Sequence, residues 1–217
     1  MRWNVSDIVD AVATALRKRA AADDREQAVY SIDALDELRL HPIIQQGLRE
    51  TGLGVWPEQR YPSQRSSSGR KKKSEGKRCD VVLTHSDVTE LVDPDAEATL
   101  FSPPDALPLE AAYWLEIKTV SQFTTEGPFG HYSKELLSPV SQDIRKLAQD
   151  RLIFHAGLLL VLFTADEQVA RHDLKTWESR CLLKGLPVAG PTVREFRLTD
   201  RLGNGQCTVA LFPVRRL

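Results

Sequence analysis

The sequence predicts a single α/β domain, spanning residues 1–217, in which a central mixed β-sheet is flanked by helices. Three observations lead there. The chain reads as helix, helix, three meandering strands, helix, strand, helix and two strands. Gly157 to Phe163 is a continuous apolar run of strand length, suited to a central strand covered on both faces. Arg78 to Leu83 and Tyr113 to Val120 are apolar strands interrupted by charge, which places polar chemistry inside the sheet.

Taken in order, the elements fall into three parts: N-terminal helices over 1–52, a core over 53–165 and a C-terminal extension over 166–217. Ser6 is the expected cap of a first helix, with Ile8, Val9, Val12, Ala13 and Leu16 at helical spacing and Ala22 to Gln27 as the connection. A second helical region starts near Ser31 or Asp33 and runs towards Thr51, with Gly52 as the stop and Pro42 as a kink or division after His41. At roughly 100° per residue, Leu40, Ile44 and Leu48 share a face that also takes Glu37. Gly54 to Tyr61 reads as an edge strand because of Pro57. Ser63 to Lys77 is a polar, basic loop free of large apolar residues. The second strand is Arg78 to Thr84, and Asp87 to Glu110 reads as an insertion before the third, Ala112 to Val120. Ser133 to Leu152 is helical with a break at Pro139, and its stripe is Val140, Ile144, Leu147 and Leu152. A helix over Asp166 to Leu183 precedes two strands, Thr192 to Thr199 and Gln206 to Val214, with Asn204-Gly205 as the expected hairpin turn.

Composition narrows the function classes. At 217 residues the chain has enough length to bury a sizeable core. A formal net charge of −1 excludes a globally basic nucleic-acid binder, so any such role needs a local patch. No apolar run approaches the ~20 residues of a membrane span, and the N-terminus lacks the pattern of a secretion signal. Cys79, Cys181 and Cys207 are odd in number and widely spaced, as expected of reduced thiols in a cytoplasmic protein. His41, His85, His131, His155 and His172 show no ligand spacing, and of these His131 alone is a candidate accessory site residue.

The chemistry concentrates in the third strand. Alternation puts Tyr113, Leu115, Ile117 and Thr119 on one face and Trp114, Glu116 and Lys118 on the other. Asp80 lies on the neighbouring strand. A carboxylate from one strand with a carboxylate and a lysine from the next can hold a divalent ion beside a phosphate. Taken alone, Glu116 and Lys118 also fit a solvated ion pair of little energetic worth.

Asp80 and Glu116-Ile117-Lys118, with a long helix before and a helix and apolar strand after, resemble the PD-(D/E)XK nuclease superfamily over roughly residues 31 to 165. The proline that the family places before the first Asp is replaced here by Cys79. The resemblance implies a restriction-endonuclease-like core with an extra C-terminal helix and strands. It implies Mg²⁺ or Mn²⁺ held by Asp80, Glu116 and the Ile117 carbonyl. Glu37 is the candidate extra ligand, with Glu50 and Glu58 as alternatives. Lys118 would orient the attacking water and stabilise charge on the phosphate, so Asp80, Glu116 and Lys118 are the catalytic candidates. Gln142 matches the Gln of the RecB-like branch, but Lys146 stands where that branch has Tyr, so the chain is not assigned to it.

Nucleic acid, DNA by family prevalence, is the implied substrate. Arg70, Lys71, Lys72, Lys73 and Lys77 of the basic loop are candidate phosphate contacts, as is Lys146, although Asp143 and Lys146 also fit a helix-surface ion pair. Tyr61, Trp56 and Trp114 fit core packing better than base stacking. The region after Asp166 carries no chemical motif and is read as a sheet extension, a homodimer surface or a partner surface. Two rival readings stay open: a non-catalytic nucleic-acid-binding module on the same fold, and an interaction or immunity-type protein in which Glu116 and Lys118 are structural.

Overall fold

The computed structural model of the chain describes residues 3–62, 78–86, 91, 108–137 and 140–216. Helix α1 spans Val5–Arg25 and buries Ile8, Val9, Val12, Ala13 and Leu16. Its cap is Asn4, two residues before the expected Ser6, because the Asn4 side chain accepts the Ser6 N–H at 3.1 Å. The helix also continues past its expected end at Ala22. Alanine favours the continuation, and Asp23 is secured by Arg19 one turn back, at 2.8 Å, and by the Ser31 hydroxyl at 3.0 Å. A single 3₁₀ turn, Ile32–Ala34, then leads to α2, Glu37–Arg49, capped by Asp36. Pro42 does not divide α2. It stands on the exposed face, while Leu40, Ile44 and Leu48 stay fully buried on the other. Gly52, at φ +83°, turns the chain out of the helix as expected.

The sheet is built from β1 (Gly54–Arg60), β2 (Arg78–Thr84), β3 (Tyr113–Ser121), a two-stranded side hairpin β4 (Phe123–Thr124) and β5 (Gly127–Pro128), then β6 (His155–Thr164), β7 (Thr192–Arg197) and β8 (Gln206–Val214). Between β5 and β6 lie α3 (Tyr132–Leu137) and α4 (Val140–Gln149); α5 (Glu167–Leu183) follows β6. The main sheet has six strands in the order β1-β2-β3-β6-β8-β7. β1, β2 and β3 are an antiparallel meander; β3 and β6 are parallel, joined by the crossover through α3 and α4; β8 and β7 complete the sheet antiparallel. The mixed sheet flanked by helices is the expected fold class.

The two faces bury separate cores. On one, α1 and α2 cover Val81, Leu83, Tyr113, Leu115, Ile117, Leu159, Val161 and Phe163. On the other, α4 and α5 cover Val82, Trp114, Leu158, Leu160, Leu162 and Phe212. β6 runs between β3 and β8 and is buried over Ala156–Thr164, as its continuous apolar sequence requires. Cys79, Cys181 and Cys207 are buried and unpaired. No helix among the described residues is long and apolar enough to cross a membrane.

The expected turn at Asn204-Gly205 is corrected. The β7–β8 ladder already closes at Arg197↔Gln206, and residues 198–205 form a longer loop. Asn204 is fully buried within it. Its side chain accepts from the Phe123 N–H at 3.1 Å and donates to Asp33 at 3.0 Å, pinning the start of the β4–β5 hairpin against the 3₁₀ turn before α2. A side chain satisfied on that many sides gains more from burial than from a place at a turn tip.

Gly157 sits beside Tyr113, whose hydroxyl oxygen would lie 2.5 Å from any β-carbon added there. That hydroxyl is buried with no hydrogen-bond partner among the described residues. Gly157→Ala is therefore expected to lower stability by roughly 1–3 kcal/mol through overpacking. Tyr113→Phe should be neutral or stabilising by up to about 1 kcal/mol, because it removes an unsatisfied buried polar group. Urea unfolding of both variants measures the two effects, and a large loss in Tyr113→Phe would mean that the hydroxyl has a partner.

Candidate active site

The β2–β3 ladder runs from Leu83↔Tyr113 to Val81↔Leu115 and stops there. Beyond that point Asp80 bridges the strands with its side chain, Oδ2 accepting the Ile117 N–H at 2.7 Å. β2 is irregular here. Cys79 and Val82 pack on the α4–α5 face and Val81 on the α1–α2 face, which simple alternation would not give. The Cys79 thiol turns towards the Leu115 carbonyl at 3.4 Å. On the adjoining strand Glu58 has a positive φ of 54°. Irregularities of this kind re-aim side chains at a strand end.

Glu116 projects from β3 on the Trp114 side and is only 3% exposed. The Tyr61 hydroxyl donates to its Oε1, and the Asp80 carboxyl is close enough to share a hydrogen bond with it. Burial pushes the Glu116 carboxyl up from 4.5 to about 9; the negative charges of Asp80 and Asp143 push the same way, and the Tyr61 hydrogen bond opposes them. Burial, with the Cys79 and Glu116 charges, also drives the Tyr61 phenol far above its ordinary value, so it stays a donor.

Lys118 is next on the same face. Its ammonium donates to Glu37 Oε1 at 3.1 Å and lies 3.8 Å from Asp143 Oδ2. Burial alone would lower the Lys118 pKa, but the Glu37, Asp80 and Asp143 carboxylates together hold it above its ordinary value. Glu37 enters from the first turn of α2, and its Oε2 accepts the Thr119 N–H at 3.2 Å. Asp143 enters from α4, 5% exposed, and accepts from Lys146 as well. A cavity of about 340 Å³ opens beside Glu37 and Thr119, with Asp36, Phe129 and Glu135 in its wall.

Asp80, Glu116 and Lys118 thus come together, and Glu37 joins them through Lys118 rather than through the carboxylate pair. Ile117 presents its amide to Asp80 while its side chain fills the opposite core. Glu50 lies elsewhere, paired with Lys18, and Glu58 is exposed on β1. His131 is exposed and meets only the edge of Phe129 among the described rings. Lys146 is held by Asp143, and Gln142 is exposed on α4. Arg70, Lys71, Lys72, Lys73 and Lys77 lie outside the described residues.

Two side chains matter more than their sequence suggests. Asp143 carried a legible signal: it falls three residues after Val140 and four before Leu147, inside the apolar stripe of its helix. Tyr61 carried none, since nothing in the chain ties a residue after β1 to one in the middle of β3.

No protein-family model, no curated protein and no solved structure matches this chain. Among the described residues, no group of three or more His, Cys, Asp and Glu side chains is arranged to hold a metal ion. Asp80 and Glu116 nevertheless present hard carboxylate oxygens side by side. Mg²⁺ is held by one or two carboxylates and keeps its remaining waters, so this pair fits such an ion.

The raised Glu116 value has a consequence for stability. The folded chain keeps a proton that the unfolded chain releases, so this stabilisation is complete below about pH 4.5 and is lost as pH rises towards about 9. In metal-free buffer the melting temperature of the wild type should fall between pH 5 and pH 9, and Glu116→Gln should flatten that fall. An equally steep fall in Glu116→Gln would show that Glu116 is not the group responsible.

Proposed function

We propose that this chain is a metal-dependent phosphodiesterase of the PD-(D/E)XK type that hydrolyses nucleic acid, with DNA as the first substrate to test. The observation that carries the reading is the meeting of the Asp80 and Glu116 carboxylates where β2 and β3 part, with the Lys118 ammonium held on the same face of β3. A buried carboxylate pair is costly unless a proton or a cation offsets it.

Asp80, Glu116 and the Ile117 carbonyl would hold Mg²⁺ or Mn²⁺. Such an ion, when bound, polarises a phosphoryl oxygen and lowers the pKa of a coordinated water. The remaining work belongs to the chain. Lys118, charged and fixed by Glu37, donates to a phosphate oxygen or to the attacking water and favours the charge that develops on the phosphate. Asp80 keeps β2 and β3 in register at the site through the Ile117 amide. Tyr61 holds one oxygen of Glu116 and so fixes its orientation. The segment 63–77 begins two residues after Tyr61 in sequence and is basic, which suits salt-dependent, sequence-independent contact with a phosphate backbone.

The closed pairing of Glu37 with Lys118 and Thr119 favours one second reading, a nucleic-acid-binding or protein-interaction module in which the network is structural. The two readings part in one experiment. Purified protein with Mg²⁺ or Mn²⁺ should cleave single-stranded, double-stranded or branched DNA. Asp80→Ala, Glu116→Ala and Lys118→Ala should each lower the rate by roughly 100-fold or more, with folding checked by circular dichroism. Wild-type protein that binds DNA but cleaves neither DNA nor RNA with either ion would support the structural reading instead.

A further inference from the structure

We propose that Asp143 is a positioning residue of this site: together with Glu37 it clasps the Lys118 ammonium, and it holds Lys146 as a second cation for a neighbouring backbone phosphate. The proposal rests on the function proposed above and adds to it a residue outside the motif strands.

Asp143 lies in the apolar stripe of α4, with Val140, Ile144 and Leu147 packed into the core on the same face of the sheet as Trp114. A carboxylate there has left water and must be compensated. Its partners are two ammonium groups from different elements, Lys118 of β3 at 3.8 Å and Lys146 one turn along α4. An ordinary helix-surface pair would need Lys146 alone and would lie in solvent. Here the Asp143 side chain is 7% exposed and reaches across to the sheet.

The geometry gives each lysine a distinct state. An ammonium has three donors. Glu37 Oε1 takes one from Lys118 at 3.1 Å, and the Asp143 carboxylate attracts the ammonium by charge from 3.8 Å. Two donors remain among the described contacts, on an ammonium held by carboxylates from both α2 and α4. A tethered lysine presents those donors with little left to order when a phosphate arrives. Lys146 has one donor engaged by Asp143 and two remaining among the described contacts. Its side chain is 26% exposed against 21% for Lys118, so both lysines keep access to solvent.

The test uses the full chain and DNA with Mn²⁺. Asp143→Asn should lower kcat by roughly 100-fold, the scale of a misplaced reacting group, while KM and calorimetric Mn²⁺ affinity stay near wild type. Asp143→Glu should recover part of kcat. Lys146→Ala should raise KM and reduce the slope of log K against log salt by about one. Limited acylation read by mass spectrometry supplies a measure independent of cleavage: Asp143→Asn should label faster at Lys118 and Lys146, with Lys18 as the internal reference. If Asp143→Asn does not fold, Asp143→Leu combined with Lys146→Met removes the pair without leaving a lone charge, and it should still lose kcat. Wild-type kcat in the folded Asp143→Asn variant, or in the Asp143→Leu double variant, overturns the proposal. So does a drop in Mn²⁺ affinity that matches the drop in kcat, which would make Asp143 a ligand. If the wild type cleaves nothing, the proposed function fails separately; labelling of Lys118 that Asp143→Asn leaves unchanged then overturns the clasp itself.

Discussion

Glu116 is buried in the sheet beside a second carboxylate, and most of the polar structure around it answers that one constraint. A carboxylate at 3% exposure in contact with another cannot stay ionised alone. Tyr61 gives it a hydrogen bond, burial and the Asp80 charge together favour its protonated form, and one Asp80 oxygen accepts the Ile117 amide. Two residues further along β3, Lys118 brings positive charge to the same face, and Glu37 and Asp143 then have to hold it. Elements far apart in the chain are tied to one point of one strand.

The fold can carry this polar interior because its neighbours are so apolar. β6 lies directly beside β3 and is buried from Ala156 to Thr164; on its other side β8 buries Val209 to Phe212. The two faces form separate cores, so the carboxylates interrupt only the one under α4. The interruption falls where the β2–β3 ladder has ended, so the Asp80 side chain replaces a ladder contact and none of the continuous β3–β6 ladder is lost.

Much of this was legible in the sequence, and the reasons are local. The strand boundaries of β2, the covered nature of β6 and the buried stripe of α2 each follow from a pattern within a few residues. So does the opposite facing of Ile117 and Lys118. The misreadings came where a local signal had a distant competitor. Asn204-Gly205 has the chemistry of a tight turn, but Asn204 satisfies Phe123 and Asp33, which lie far away in the chain. Ser6 has the chemistry of a cap, and Asn4 supplies it two residues earlier. Asp143 and Lys146 have surface-pair spacing, and what separates them from a surface pair is Lys118 on the sheet beneath.

Charge balance joins the network to the proposed function. With every group ionised, Glu37, Asp80, Glu116 and Asp143 carry four negative charges, and Lys118 and Lys146 carry two positive ones, leaving two negative charges in a half-dry site. A proton on Glu116 reduces the excess to one. A single divalent cation would remove it entirely and would let Glu116 release that proton. The nearest carboxylates of the two lysines are Glu37 and Asp143, and the lysine charge reaches Asp80 and Glu116 from further off. The least compensated carboxylates are therefore Asp80 and Glu116, whose hard oxygens suit a divalent cation.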